Sequence, residues 1–156
     1  MQKICTLFVC LFVTSLALAE STTQSFWHNF SGNIAFTNNY IFRGVSQTNN
    51  NPALQGGLNY TIAPFGLYAY AFGSNVDFKT SNDKKAATEI DTTLGIKNDI
   101  NDNLSYDVAL QRYNYPGAHY ANYNEVYGSF TYYFLTALIA YSGNEFNSHT
   151  NGLYSN

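Results

Sequence analysis

The stretch Glu89-Ile90-Asp91-Thr92-Thr93-Leu94-Gly95-Ile96-Lys97 and its neighbour Leu104-Ser105-Tyr106-Asp107-Val108-Ala109-Leu110-Gln111 decide the fold. In the first, Ile90, Thr92, Leu94 and Ile96 alternate with Glu89, Asp91, Thr93, Gly95 and Lys97. In the second, Leu104, Tyr106, Val108 and Leu110 alternate with Ser105, Asp107, Ala109 and Gln111. Successive side chains of a strand point to opposite faces, so each run predicts a strand with one face free of charge. Every charged side chain of both runs falls on the other face.

The pattern extends both ways. Asn33 to Gly44 sets Ile34, Phe36, Asn38, Tyr40 and Phe42 against Ala35, Thr37, Asn39, Ile41 and Arg43, and reads as one two-faced strand. Ala53 to Ile62 sets Leu54, Gly56, Leu58, Tyr60 and Ile62 against Ala53, Gln55, Gly57, Asn59 and Thr61. From Gly66 to Phe78, the large residues Tyr68, Tyr70, Phe72, Val76 and Phe78 are expected on the apolar face. Leu67, Ala69, Ala71, Gly73, Asn75 and Asp77 are then expected to face inward. Further strands are expected at Tyr123 to Phe134, Leu135 to Tyr141 and from Leu153 onward.

Short joins near Ala63-Pro64, Asn98 to Asn103 and Phe134-Leu135 alternate with long polar ones at Val45 to Asn51, Lys79 to Ala87, Asn114 to Asn122 and Ser142 to Asn151. Membrane barrels have this rhythm of short periplasmic turns and longer outer loops. An antiparallel sandwich also alternates and also turns often. Aromatic residues near strand ends (Tyr40, Phe42, Phe65, Tyr68, Phe78, Tyr113, Tyr132, Phe134) favour the barrel, whose interfacial girdles are aromatic. The expected fold is all-β, an antiparallel up-and-down transmembrane barrel.

Composition points the same way. Aromatic residues make up 17% of the chain and charged ones only 11%, against about 25% charged in ordinary soluble domains. Residues 1–19 read as a secretory signal: Lys3, an apolar run from Ile4 to Ala17, and Ala17-Leu18-Ala19 as the cleavage site. Residues 20–31 are then a periplasmic N-terminal segment and 32–156 the barrel domain. Both cysteines, Cys5 and Cys10, fall in the signal, which excludes a disulfide framework in the mature chain. Without Lys3, six basic and ten acidic residues leave a charge of −4 and no basic cluster beyond Lys84-Lys85, which disfavours nucleic acid as a partner.

Tyr40-Ile41-Phe42-Arg43-Gly44-Val45-Ser46-Gln47-Thr48, followed by Pro52-Ala53-Leu54-Gln55-Gly56-Gly57, resembles the TorF-type porins, also catalogued as Gcw_chp, a bacterial family of unknown function. Later blocks resemble the family in order: Gly73-Ser74-Asn75-Val76-Asp77-Phe78, Glu89-Ile90-Asp91, Ser105-Tyr106-Asp107-Val108, Tyr115-Pro116-Gly117 and Asn122-Tyr123-Asn124-Glu125-Val126-Tyr127. The resemblance runs from about Ser31 onward and implies an outer-membrane barrel with passive transport. It also implies further strands beyond Asn156, so the chain is expected to be an incomplete N-terminal portion that does not close a conducting pore alone.

Arg43, Asp77, Glu89, Asp91, Lys97, Asp107 and Glu125 share the face opposite the apolar one, and on the lipid side a basic residue at mid-bilayer would cost about 2 to 4 kcal/mol. They are therefore expected to line the interior, either as ion pairs filling a narrow barrel or as a lining that selects solutes. Five acids against two bases would favour cations. His28, His119 and His149 lack metal-site spacing, and no nucleophile motif surrounds Ser46, so neither catalysis, metal nor cofactor is expected. The expected function is passive diffusion of small hydrophilic solutes across a bacterial outer membrane. Lipid and the barrel-assembly machinery are the expected partners; a non-conducting surface barrel and a periplasmic sandwich are the alternatives.

The loop rhythm places Lys84 outside the cell and Asn101 in the periplasm. Lys84→Cys should react with an impermeant thiol reagent on intact cells, and Asn101→Cys should react only after the outer membrane is opened. Equal labelling would reverse or abolish this topology.

Overall fold

The computed structural model describes residues 29–62, 65–80, 83–143 and 152–155. The signal segment, His28, the Ala63-Pro64 join, His149 and most of the 142–151 loop lie outside the described residues. Ten strands follow in chain order: β1 (Phe30–Thr37), β2 (Ile41–Phe42), β3 (Val45–Ser46), β4 (Ala53–Ile62), β5 (Leu67–Lys79), β6 (Lys85–Asn101), β7 (Leu104–Asn114), β8 (Tyr123–Tyr132), β9 (Leu135–Ser142) and β10 (Gly152–Ser155). Eight form one antiparallel meander in the order β1-β4-β5-β6-β7-β8-β9-β10, while β2 and β3 pair only with each other. The fold is all-β and antiparallel. No pairing joins β1 to β10 among the described residues.

The sheet curls. Tyr68 on β5 and Tyr127 on β8 reach over β6 and β7 on one face until their hydroxyls lie 2.8 Å apart, and the charged side chains of that face are buried while the apolar ones of the other are exposed. Curling separates the two faces. Ile34, Leu94, Ile139 and Leu153 on the convex face are 74%, 65%, 60% and 75% exposed, while Glu89, Asp91 and Glu125 on the concave face are at most 3% exposed. The apolar side is outside and the ionic side inside, the reverse of a water-soluble domain.

Two expectations need correction. The first strand ends at Thr37, and the Asn33 to Gly44 run does not continue as one strand. Asn39 Oδ1 accepts hydrogen bonds from Ser46 Oγ (2.6 Å) and Thr48 Oγ1 (3.2 Å). Such side-chain bonds compete with a ladder. Arg43 and Gly44 then take positive φ (47° and 83°) as the two-residue turn between β2 and β3, a geometry matched to hairpins.

The facing of β5 is also inverted: Tyr68, Tyr70 and Phe72 point inward, and Leu67, Ala71 and Asn75 outward. Glycines on neighbouring strands make the space. Tyr68 lies opposite Gly95, where a Cβ would stand 2.5 Å from the tyrosine ring, and a Cβ at Gly57 would stand 2.5 Å from the Tyr70 hydroxyl. The same alternation carries Ser74, Val76 and Phe78 to the interior. There Val76, Ala86, Tyr113, Tyr115, Ala118, Ala121 and Tyr123 form the buried core, with Tyr40, Phe42 and Phe78 packed on it.

Replacing Gly95 by Val forces the Tyr68 ring off its seat, and overpacking of this kind costs about 1–3 kcal/mol. Urea unfolding of the folded protein in micelles should show that loss. Adding Tyr68→Ala should make the Gly95→Val change nearly neutral; additive losses would contradict this packing.

Candidate functional site

The β2–β3 hairpin folds inward at the long-loop end and carries Arg43 to β8. Arg43 Nη1 and Nη2 donate to Glu125 Oε2 and Oε1 at 2.7 and 2.8 Å, a bidentate fork that fixes both direction and distance. The guanidinium also lies 4.7 Å from the Phe42 ring centroid and 4.3 Å from that of Tyr154 on β10. Tyr113 stacks on Tyr123 at 4.3 Å and donates its hydroxyl to Glu125 Oε1. Burial works against the Arg43 charge, but the bonds and charge of Glu125 outweigh it, so the Arg43 pKa is raised.

Backbone bonds hold the hairpin down. Asp77 N donates to Gln47 O at 2.7 Å, and Gln47 N donates to Tyr40 O at 2.7 Å. Phe42 packs against Tyr113 and Tyr40 against Phe72. Beside them Tyr115 donates its hydroxyl to Glu89 Oε1 at 2.9 Å. Burial and the nearby Glu89 charge push the Tyr115 hydroxyl upward in pKa, which keeps it a donor. Asp91 sits next along β6, with Gln111 donating to its Oδ2 at 3.4 Å. Among the described residues Glu125 thus pairs with the guanidinium, while Glu89 and Asp91 accept from Tyr115 and Gln111.

At the short-turn end the interior is different. A cavity of about 430 Å³ is lined by Asn59, Thr61, Tyr68, Lys97, Asp107 and Tyr127. Tyr68 donates its hydroxyl to Asp107 Oδ1 at 2.8 Å. Lys97 and Asp107 are register partners, yet no ion pair joins them among the described residues.

Six of the seven ionic residues singled out from sequence, Arg43, Glu89, Asp91, Lys97, Asp107 and Glu125, therefore lie on the interior face, in two groups. Asp77 does not. Its carboxylate bonds the exposed Lys85 at 3.0 Å near the loop end, because it shares the outward positions of β5 with Leu67, Ala71 and Asn75. Of the residues carrying the family resemblance, Tyr40, Phe42, Arg43, Gly44, Ser46 and Gln47 form the hairpin region, and Tyr115 and Glu125 meet it. Pro116 and Gly117 turn the chain beside it, Gly117 at φ +83°. Gln55, Gly56, Gly57 and Asn75 belong to the sheet; Asn75 accepts from Leu54 N at 2.8 Å.

Blocks far apart in sequence thus converge on one interior network. The chain belongs to the Gcw_chp family. That family, described as "Bacterial protein of unknown function", matches residues 20–154. No curated protein and no solved structure matches the chain.

The aromatic members of the Gcw_chp network, Tyr68, Tyr113, Tyr115 and Tyr123, were not singled out from sequence as interior residues. A tyrosine facing a glycine on the next strand, as Tyr68 faces Gly95, is the signal that could have found one of them. Arg43→Met leaves the Glu125 carboxylate buried without its partner, a loss of about 3–5 kcal/mol for pairs of this kind. The double variant Arg43→Met, Glu125→Gln should regain much of that stability in thermal unfolding. A single variant as stable as the parent would show that the fork contributes nothing.

Proposed function

We propose that this protein is a β-barrel of the bacterial outer membrane, exported by its N-terminal signal, through which small hydrophilic solutes diffuse. The observation that carries the reading is the belt of exposed apolar side chains on the convex face. Ile34, Phe36, Leu54, Leu58, Leu94, Leu110, Phe130 and Ile139 are each more than half exposed, whereas monomeric soluble proteins rarely expose contiguous patches beyond a few hundred Å². Hydrocarbon is the medium that such a face fits, and strands can cross it only within a closed barrel. A sandwich would need a second layer over this face, and among the described residues none covers it. The resemblance to TorF-type porins points to the same reading.

Solutes would be filtered by size and charge against Arg43, Glu89, Asp91, Lys97, Asp107 and Glu125, with no cofactor and no chemical step. A second reading, a barrel that does not conduct, is favoured by one feature: the hairpin and the aromatic cluster fill the interior at the long-loop end.

Leu94→Arg, at mid-belt, should cut the yield of heat-modifiable folded protein in liposomes, in keeping with about 2–4 kcal/mol for a basic residue at mid-bilayer. Asn59→Arg, facing the cavity, should fold nearly as well as the parent. If Asn59→Arg were the more damaging, the inside and outside of the sheet would be exchanged. Planar-bilayer recordings of the protein expressed from its whole reading frame then separate the two readings: discrete conductance steps support diffusion, and a silent folded barrel supports the second.

A further inference from the structure

The geometry points to the cavity at the short-turn end as a binding site for a small zwitterion, an amino acid or dipeptide carrying both a free amine and a free carboxylate. The inference rests on the barrel reading, since only an enclosed interior makes this hollow a solute site. Its volume, about 430 Å³, lies in the range of small-molecule sites, roughly 300–1,000 Å³.

Charge decides the class of ligand. Lys97 and Asp107 face each other across β6 and β7, and oppositely charged partners on one face ordinarily attract. Here Asp107 is turned toward the Tyr68 hydroxyl, which is itself held at 2.8 Å from Tyr127. The Lys97 ammonium has no ion-pair partner among the described residues. The cavity therefore presents a cation and a carboxylate that do not pair with each other. A solute with a carboxylate at one end and an ammonium at the other fits both at once, with charge-assisted hydrogen bonds at each end.

The other linings agree. Asn59 donates to Thr61 Oγ1 at 2.9 Å, which leaves its amide oxygen to accept from a peptide N–H. A simple anion would use Lys97 and be repelled by Asp107; a neutral sugar would leave Lys97 unanswered. Specificity then comes as much from the charge that rejects as from the one that attracts.

The test uses the full folded chain in detergent micelles and calorimetric titration with glycylglycine, N-acetyl-glycylglycine, glycylglycine amide and glucose. Glycylglycine should bind at least tenfold more tightly than the other three. Lys97→Met should erase the difference between glycylglycine and its amide, and Asp107→Asn the difference between glycylglycine and its N-acetyl form. Equal binding of all four probes, no binding, or glucose binding as tightly as glycylglycine would overturn the site while leaving a protein that folds in liposomes as a barrel. Failure of the parent chain to fold into lipid would overturn both readings.

Discussion

The bidentate pair between Arg43 and Glu125 ties a hairpin turn to a strand 82 residues later, and the arrangement of the long-loop end depends on it. An arginine on the positive-φ turn between β2 and β3 could otherwise point into solvent. Held by the carboxylate, flanked by Phe42 and Tyr154, it draws the hairpin across the interior and brings Tyr40 and Phe42 onto the buried core. A planar fork binds in one orientation, so the pair fixes how the hairpin lies as well as where. The rings then enclose the charges, which keeps water from competing for them.

Burial of this kind is costly unless every partner is present. Glu125 receives the guanidinium and the Tyr113 hydroxyl, and Glu89 receives Tyr115. Tyrosine suits the task because its ring fills apolar space while its hydroxyl donates to a carboxylate. Abundant tyrosine and scarce charge in the composition therefore go together: Glu89, Asp107 and Glu125 in the interior each accept from a tyrosine hydroxyl.

The strands β4, β6 and β7 were legible because their two faces differ in polarity, so a period of two also tells inside from outside. In β5 that signal fails. Tyr68, Tyr70 and Phe72 alternate with Leu67, Ala69 and Ala71, and both sets are apolar, so only size distinguishes them, and size points the large residues outward. Facing was decided instead by space on the neighbouring strand, where Gly95 and Gly57 leave room for rings. The inward hairpin was hidden for a related reason: alternation persists from Ile34 to Arg43, while Asn39 and the Arg43-Gly44 turn break the ladder locally. Of the candidate site, the charge-bearing residues were visible by their shared face, Asp77 excepted. Their division into two groups was not, because it depends on which loop folds inward.

That division gives the interior a direction. At the long-loop end Arg43 pairs with Glu125, and Glu89 and Asp91 lie buried behind packed rings, so the interior there is narrow. At the short-turn end Lys97 and Asp107 balance each other around open space. On the barrel reading, a solute entering from the short-turn side would meet Lys97 and Asp107 in balance, and further on a sterically closed region. Any passage through the long-loop end must therefore displace aromatic side chains of the hairpin before charge can select, which makes packing the first barrier and electrostatics the second.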